Sequence, residues 1–219
     1  MSRLFVKICG ITTPEDAALA VDAGADALGF VFWPMSPRRV DLARAVAIAR
    51  GLPPLVLRVG VFVNAPRDEM ARVADAVGLD VLQLHGDEPP EALVALPRRA
   101  IKAVRVGRGF ASVQATRYLG CTAGLLVDTR LTGDSSQAPG GTGVPFDWSL
   151  VTDLAAQVPF LVLAGGLTPQ NVAEAVKVVR PQAVDVASGV ETVPGKKDPG
   201  RVRAFVAAAR AAEAQEVAS

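Results

Sequence analysis

The chain has 219 residues, half of them hydrophobic and 21% charged, with a formal net charge of +1. That length carries a core without disulfides or a structural metal, and two cysteines make neither a disulfide framework nor a metal-ligand pattern. A charge so near neutral gives no bulk attraction to nucleic acid or to an anionic membrane surface, although it leaves room for one small acidic ligand.

The expected elements, in chain order, begin with a strand over Leu4–Cys9. Thr13-Pro14-Glu15-Asp16 then opens a helix, with an N-cap threonine, a proline suited to the first helical position and acids in the first turn. Ala17, Ala18, Val21 and Ala25 fall on one face of it. A strand over Ala27–Phe32 leads to a helix opening at Asp41, and Leu55–Val63 to one opening at Pro66-Arg67-Asp68-Glu69. Val81–His85 is followed by a helix start at Asp87-Glu88-Pro89-Pro90-Glu91. Strands over Ala100–Val104, Gly124–Asp128, Phe160–Leu163 and Ala183–Ala187 complete the set. Thr168-Pro169-Gln170-Asn171 repeats the threonine cap and proline, with Val172, Ala175, Val176 and Val179 on one face of the helix it opens. The final AAARAAEAQEVAS continues a helical composition and then frays. The opening MSRLFVKICG has too short an apolar run for a signal peptide, and no later run is long enough to span a membrane, so a cytoplasmic location is expected.

The strands are β-branched and mostly continuous in their apolar character, as parallel strands buried on both faces are. Eight of them alternating with helical stretches predict an α/β fold, a single (β/α)8 TIM barrel over residues 1–219. A doubly wound sheet would want G-x-G-x-x-G after the first strand, and GITTPED is not that. One long polar, glycine-rich segment, Thr129–Val144, has the composition of a lid or binding element.

Active sites of such barrels lie at the C-terminal strand ends. The residues there are Cys9, the SPRR turn at Ser36–Arg39, Asn64, His85, Asp128, Gly165-Gly166 and Ser188-Gly189. The last two turns follow adjacent strands. Glycine lets backbone N–H groups approach an anion, and phosphate binds at this pair of loops in sugar-phosphate barrels, whereas glycines that only make tight turns are the alternative. Asp128 ends an apolar strand: it is either a cap or a partner to Arg130, or a general acid whose pKa partial burial raises. Cys9 is either a small buried hydrophobe, as Cys121 is expected to be, or a base whose thiol pKa a cationic neighbour lowers modestly. Lys7, two residues earlier on the same strand face, is that candidate neighbour. Arg38 is either a solvated charge or a fork for a carboxylate. His85, the only histidine, either orients or contacts a substrate, or makes a structural hydrogen bond.

Together, VKICGIT, DALGFVFWPMSPR, VGVFVN, LQLHGDE, the strand ending at Asp128, GGTGVPFDW, LAGGLTPQNV and DVASGVET with PGKKD resemble the phosphoribosylanthranilate isomerases of tryptophan biosynthesis. These segments run in order from residue 6 to residue 198. The resemblance implies a barrel that needs no cofactor, performing an Amadori rearrangement of a phosphorylated aminosugar; the charge and the cysteine spacing already argue against a nucleic-acid or membrane partner and a metal. By the same carry-over Cys9 is the general base and Asp128 the general acid. Arg38 holds the substrate carboxylate, and Gly165, Gly166, Ser188 and Gly189 bind phosphate; His85, Gly141 and Gly143 are the further candidates for substrate contact. A monomer is expected, with a dimer as the alternative. Arg39 departs from the family pattern, which often has an aromatic residue after the arginine, and Arg130–Pro139 matches no family pattern. Two rivals are a Schiff-base aldolase using Lys7 or Lys102 and a barrel that binds a phosphorylated ligand without turning it over. The histidine-pathway aminoaldose is a further conceivable substrate, since its isomerisation is the same chemistry.

Overall fold

Side chains alternate between the two faces of a strand, so a closed parallel sheet must satisfy a helix-covered outer surface and a packed interior at once. In the computed structural model, which describes residues 3–106, 110, 112–128 and 148–217, eight parallel strands meet that demand. They are β1 Phe5–Cys9, β2 Ala27–Val31, β3 Leu57–Phe62, β4 Val81–Leu84, β5 Arg99–Arg105, β6 Gly124–Asp128, β7 Leu161–Ala164 and β8 Ala183–Val186. β1 pairs with β2 on one side and with β8 on the other, closing the barrel. Val6, Ile8, Leu28, Phe30, Leu84 and Val127 face outward into one apolar layer beneath the helices. Ala103, Leu126, Val162, Ala164 and Ala183 pack together inside, and Cys9, Val31 and Val61 form a separate small cluster at the mouth. The segment 129–144, with Gly141, Gly143 and Arg130, lies outside the described residues.

The outer layer consists of α1 Pro14–Asp22, α2 Leu42–Arg50, α3 Arg67–Val77, α4 Val113–Thr116, α5 Ser149–Ala155, α6 Val172–Val179 and α7 Pro199–Val217. Thr13 caps α1 by accepting the Asp16 N–H at 3.1 Å, and Asp41 caps α2 by accepting the Arg44 N–H at 2.8 Å. After β8 the chain makes a short 3-10 turn and a hairpin, β9 Glu191–Val193 with β10 Lys196–Lys197, before α7.

Three local expectations are corrected. The start at Asp87–Glu91 yields only a 3-10 turn over Pro90–Leu93, because a residue before proline is confined to extended backbone and Pro89 sits at φ −74°, ψ 163°. Thr168 does not begin α6; the Asn171 carboxamide takes the Thr168 N–H at 2.7 Å, and the helix begins at Val172. In α1 the buried residues are Asp16, Ala17 and Ala20, leaving Ala18 exposed. Asp16 turns inward to accept the Lys197 N–H, which rotates the buried stripe. The expected face of α6 is as read: Val172, Ala175, Val176 and Val179 are all buried.

The two ends of the described chain are tied together below β1. Glu213 of α7 accepts the Leu4 N–H at 2.7 Å, and Arg210 donates to the Leu4 carbonyl and to Asp26. Asp26 in turn accepts the Val6 N–H at 2.7 Å. No helix among the described residues is long and apolar enough to cross a membrane.

Loss of one capping hydrogen bond costs about 1 kcal/mol. Thr13→Ala is therefore expected to lower the urea midpoint by that amount of stability with an unchanged m-value, measured by circular dichroism.

Candidate active site

The inward positions of β1 are Phe5, Lys7 and Cys9, and the last two bring charge and a thiol into the barrel. Lys7 bonds Asp185 of β8 at 2.9 Å, with both side chains buried, and its ammonium also lies against the Cys9 sulfur. Gly29 of β2 stands beside Cys9 in the ladder. A methyl group there would come within 2.7 Å of Cys9 Sγ and 3.0 Å of Lys7 Nζ, so the missing side chain is the space in which the thiol and ammonium meet.

Burial pushes the Cys9 pKa up; Lys7 pulls it down, but Asp185 raises it again, and the net direction is upward. This corrects the expectation of a thiol lowered by its cationic neighbour: the neighbour is present, but lost hydration and the Asp185 charge outweigh it. Burial disfavours the Lys7 charge, yet Asp185 and Cys9 together hold its pKa above the ordinary lysine value.

Asp128 ends β6, 4% exposed, and meets His85 at 3.3 Å from Nε2 to Oδ2. Since β5 stands between β4 and β6, this contact spans the interior of the mouth. The amide nitrogen of Gln83 lies 3.1 Å from His85 Nδ1. An amide NH2 only donates, so Nδ1 accepts, and Nε2 then carries the proton toward Asp128. Cys9 and Asp128 sit on strands three apart round the rim, through β8 and β7.

Arg38 is buried, and its fork is already engaged: Nε lies 2.9 and 3.0 Å from the two Glu191 oxygens, and one terminal nitrogen 2.6 Å from Oε2. Lys197 approaches the same carboxylate at 2.9 Å and donates to the Cys9 carbonyl at 2.6 Å. Burial alone would raise the Glu191 pKa, but bonds from Arg38 and Lys197 hold it below the usual glutamate value. Lys197 is lowered, by burial first, despite the pull of Glu191 the other way.

Gly165 and Gly166, at φ +84° and +65°, make the turn after β7, a conformation that side chains with a Cβ rarely adopt. Nothing lies within 4 Å of where a Gly166 side chain would begin, so its backbone faces open space. Gly189 is different: a Cβ would fall 1.9 Å from the Leu167 carbonyl oxygen, so this glycine lets the β8 turn pack against the β7 turn. Ser188 begins the 3-10 turn Ser188–Val190 beside it.

Lys102, the other lysine considered as a nucleophile, points outward and is buried. It donates to the Gly86 and Ala103 carbonyls at 2.7 and 2.9 Å and to Glu88 at 3.0 Å. Burial favours a neutral Glu88, but the Asn64 N–H and Lys102 hold its pKa below the ordinary value. Sequence reasoning assigned no role to Asp185, Glu191 or Lys197. An aspartate inside the apolar run AVDVA, facing a lysine inside FVKIC, is the signal that would have found the first. Among the described residues no group of three or more His, Cys, Asp or Glu could hold a metal ion.

A closed parallel barrel with ionisable side chains gathered at the C-terminal ends of its strands is the architecture of enzymes that act on small molecules there. Comparison with known proteins narrows that class. Residues 6–208 match the family model described as N-(5'phosphoribosyl)anthranilate (PRA) isomerase. A Pseudomonas aeruginosa N-(5'-phosphoribosyl)anthranilate isomerase is 53% identical over 218 residues, covering 99% of this chain and all of the relative. The Myxococcus xanthus enzyme of the same name is 53% identical over 208 residues, covering 94% and 95%. Among solved structures, the phosphoribosyl anthranilate isomerase of Thermotoga maritima superposes with a TM-score of 0.87 at 43% identity, covering 95% of this chain and all of the other. A structure of such an isomerase in complex with reduced 1-(o-carboxyphenylamino)-1-deoxyribulose 5-phosphate has a TM-score of 0.84, with the same identity and coverage. The chain belongs to the N-(5'-phosphoribosyl)anthranilate isomerase family, and it is an isomerase.

Displacing a reacting group by about 1 Å can cost on the order of a hundredfold in rate. Gly29→Ala is expected to lower kcat by about that factor, as the new methyl parts Cys9 from Lys7, while the circular dichroism spectrum stays that of the folded barrel.

Proposed function

We propose that the isomerisation of N-(5'-phosphoribosyl)anthranilate to 1-(2-carboxyphenylamino)-1-deoxyribulose 5-phosphate, this family's step in tryptophan biosynthesis, runs here with Cys9 as base and Asp128 as acid. The observation that carries this reading is the convergence of Lys7 Nζ and Cys9 Sγ over Gly29, on the opposite arc of the mouth from the Asp128–His85 pair.

Asp128 gives a proton to the ribose ring oxygen, the C1–O bond breaks, and the anthranilate nitrogen takes up the cation as a protonated Schiff base. The Cys9 thiolate removes the proton from C2, and those electrons flow into the C1–N system as an enolamine. Transfer of the C2 hydroxyl proton to C1 leaves the ketone. Protons move and C1 is reduced as C2 is oxidised, so the sum requires no external electron carrier. Lys7 stands by the thiolate as its counterion, held by Asp185, and His85 orients Asp128. A lysine kept ionised in this way is a poor Schiff-base nucleophile, and Lys102 spends its protons on carbonyls and Glu88; both points weigh against the aldolase reading.

Phosphate would lie on the N–H groups of Gly165 and Gly166, next to Ser188 and Gly189, and the anthranilate carboxylate against Arg38. The proposed working unit is a monomer, a single barrel domain over 1–219, acting in the cytoplasm. A dimeric form is described for the Thermotoga maritima relative.

Proton transfer by a positioned group contributes about 10²–10⁴-fold. Cys9→Ala and Asp128→Asn are each expected to lose at least that much kcat, measured by the fluorescence change on substrate conversion; near wild-type turnover in either would end the assignment. The base works as thiolate, and its pKa is raised, so kcat/KM should climb with pH through neutrality into the alkaline range. Lys7→Met removes the strongest downward pull on that pKa and should move the climb to higher pH; an unmoved profile would detach Lys7 from the base.

A further inference from the structure

Two cations share one buried carboxylate where the hairpin β9–β10 meets the end of β1. Glu191 takes Nε and one terminal nitrogen of Arg38, so one flank of the arginine is spent within the chain. The Arg38 stem is wedged as well: it runs beneath Gly10, where a Cβ would lie 2.7 Å from Arg38 Cδ. Lys197 joins the same Glu191 oxygen to the Cys9 carbonyl, at 2.9 and 2.6 Å. Gly195 N–H adds a further bond to Glu191 Oε1 at 3.2 Å, and Arg201 holds the Glu191 carbonyl at 2.7 Å, so the carboxylate is fixed from its own backbone outward. The three side-chain charges sum to one positive, the complement of a single carboxylate.

We propose that Glu191 is a positioning residue that aims the Arg38 fork, and that Lys197 sets the height of the β1 end bearing Cys9, so that one hairpin governs both the grip on the substrate carboxylate and the placement of the base. Neither residue touches the reacting atoms; each acts through another. The inference rests on the reading above in which Arg38 grips the carboxylate and Cys9 is the base.

A charge-assisted hydrogen bond that loses its alignment costs about tenfold in affinity. Steady-state kinetics of the full chain should show Glu191→Gln raising KM about tenfold in the wild-type background and less than about twofold in an Arg38→Ala background, where no fork remains to aim. Lys197→Met should lower kcat about tenfold with KM little changed, as Cys9 shifts. Should the glutamine variant fail to fold, Glu191→Asp keeps the charge and withdraws it by one methylene. It is expected to raise KM less, with the same dependence on Arg38. Equal KM factors in both Arg38 backgrounds would overturn the Glu191 assignment, and so would a fall in thermal midpoint with kcat and KM unmoved. A Lys197→Met enzyme with wild-type kcat would overturn the Lys197 assignment. The underlying grip fails separately, on Arg38→Ala leaving KM unchanged; that outcome overturns the Glu191 half while Lys197→Met still judges the other.

Discussion

Ionisable groups withdrawn from water must be answered by opposite charge or by hydrogen bonds, and the mouth of this barrel is organised by that requirement. Lys7, with Asp185 as its partner, lies against the thiol of Cys9, and Arg38 and Lys197 meet on Glu191. Each ion is placed by its counterion, which is placed in turn by a strand or hairpin. Replacing one partner would leave a buried charge alone, at a cost of roughly 3–5 kcal/mol. The cost is attached to orientation as much as to stability: an arginine fork bound on one flank can present only the other.

The fold was almost fully legible because parallel strands in a barrel are apolar on both faces and the helices between them carry caps. All eight strands fall within about two residues of their expected ends, and Gly124–Asp128 coincides. What misled was local: a proline pair that forces extended backbone at Pro89, an asparagine that intercepts Thr168, and an aspartate in α1 that faces inward to meet the hairpin. Each is a competition between a short-range signal and a partner distant in sequence or in an adjacent turn, which one-dimensional pattern cannot weigh.

The candidate site was legible in proportion to how strongly each residue interrupts its surroundings. Cys9 and Asp128 stand out because each ends an apolar strand where an active site would be. Gly29 does not stand out, since a glycine in ALGFV reads as a weak point of a strand until the sulfur and ammonium beside it are seen. Asp185 lies within a quoted motif, but its meaning comes from Lys7, 178 residues earlier in the chain. The direction of the Cys9 pKa was also beyond sequence, because it follows from a balance of burial, Lys7 and Asp185 that only packing defines.

The tie between Leu4 and α7 has a temporal side. β1 carries the thiol, yet its second neighbour, β8, and the Glu213 and Arg210 side chains that grip the residue before it all arise late in synthesis. The ring of strands therefore cannot close on β1 until β8 has been made. Asp185, the partner that holds the Lys7 ammonium beside the sulfur, arrives with that same strand.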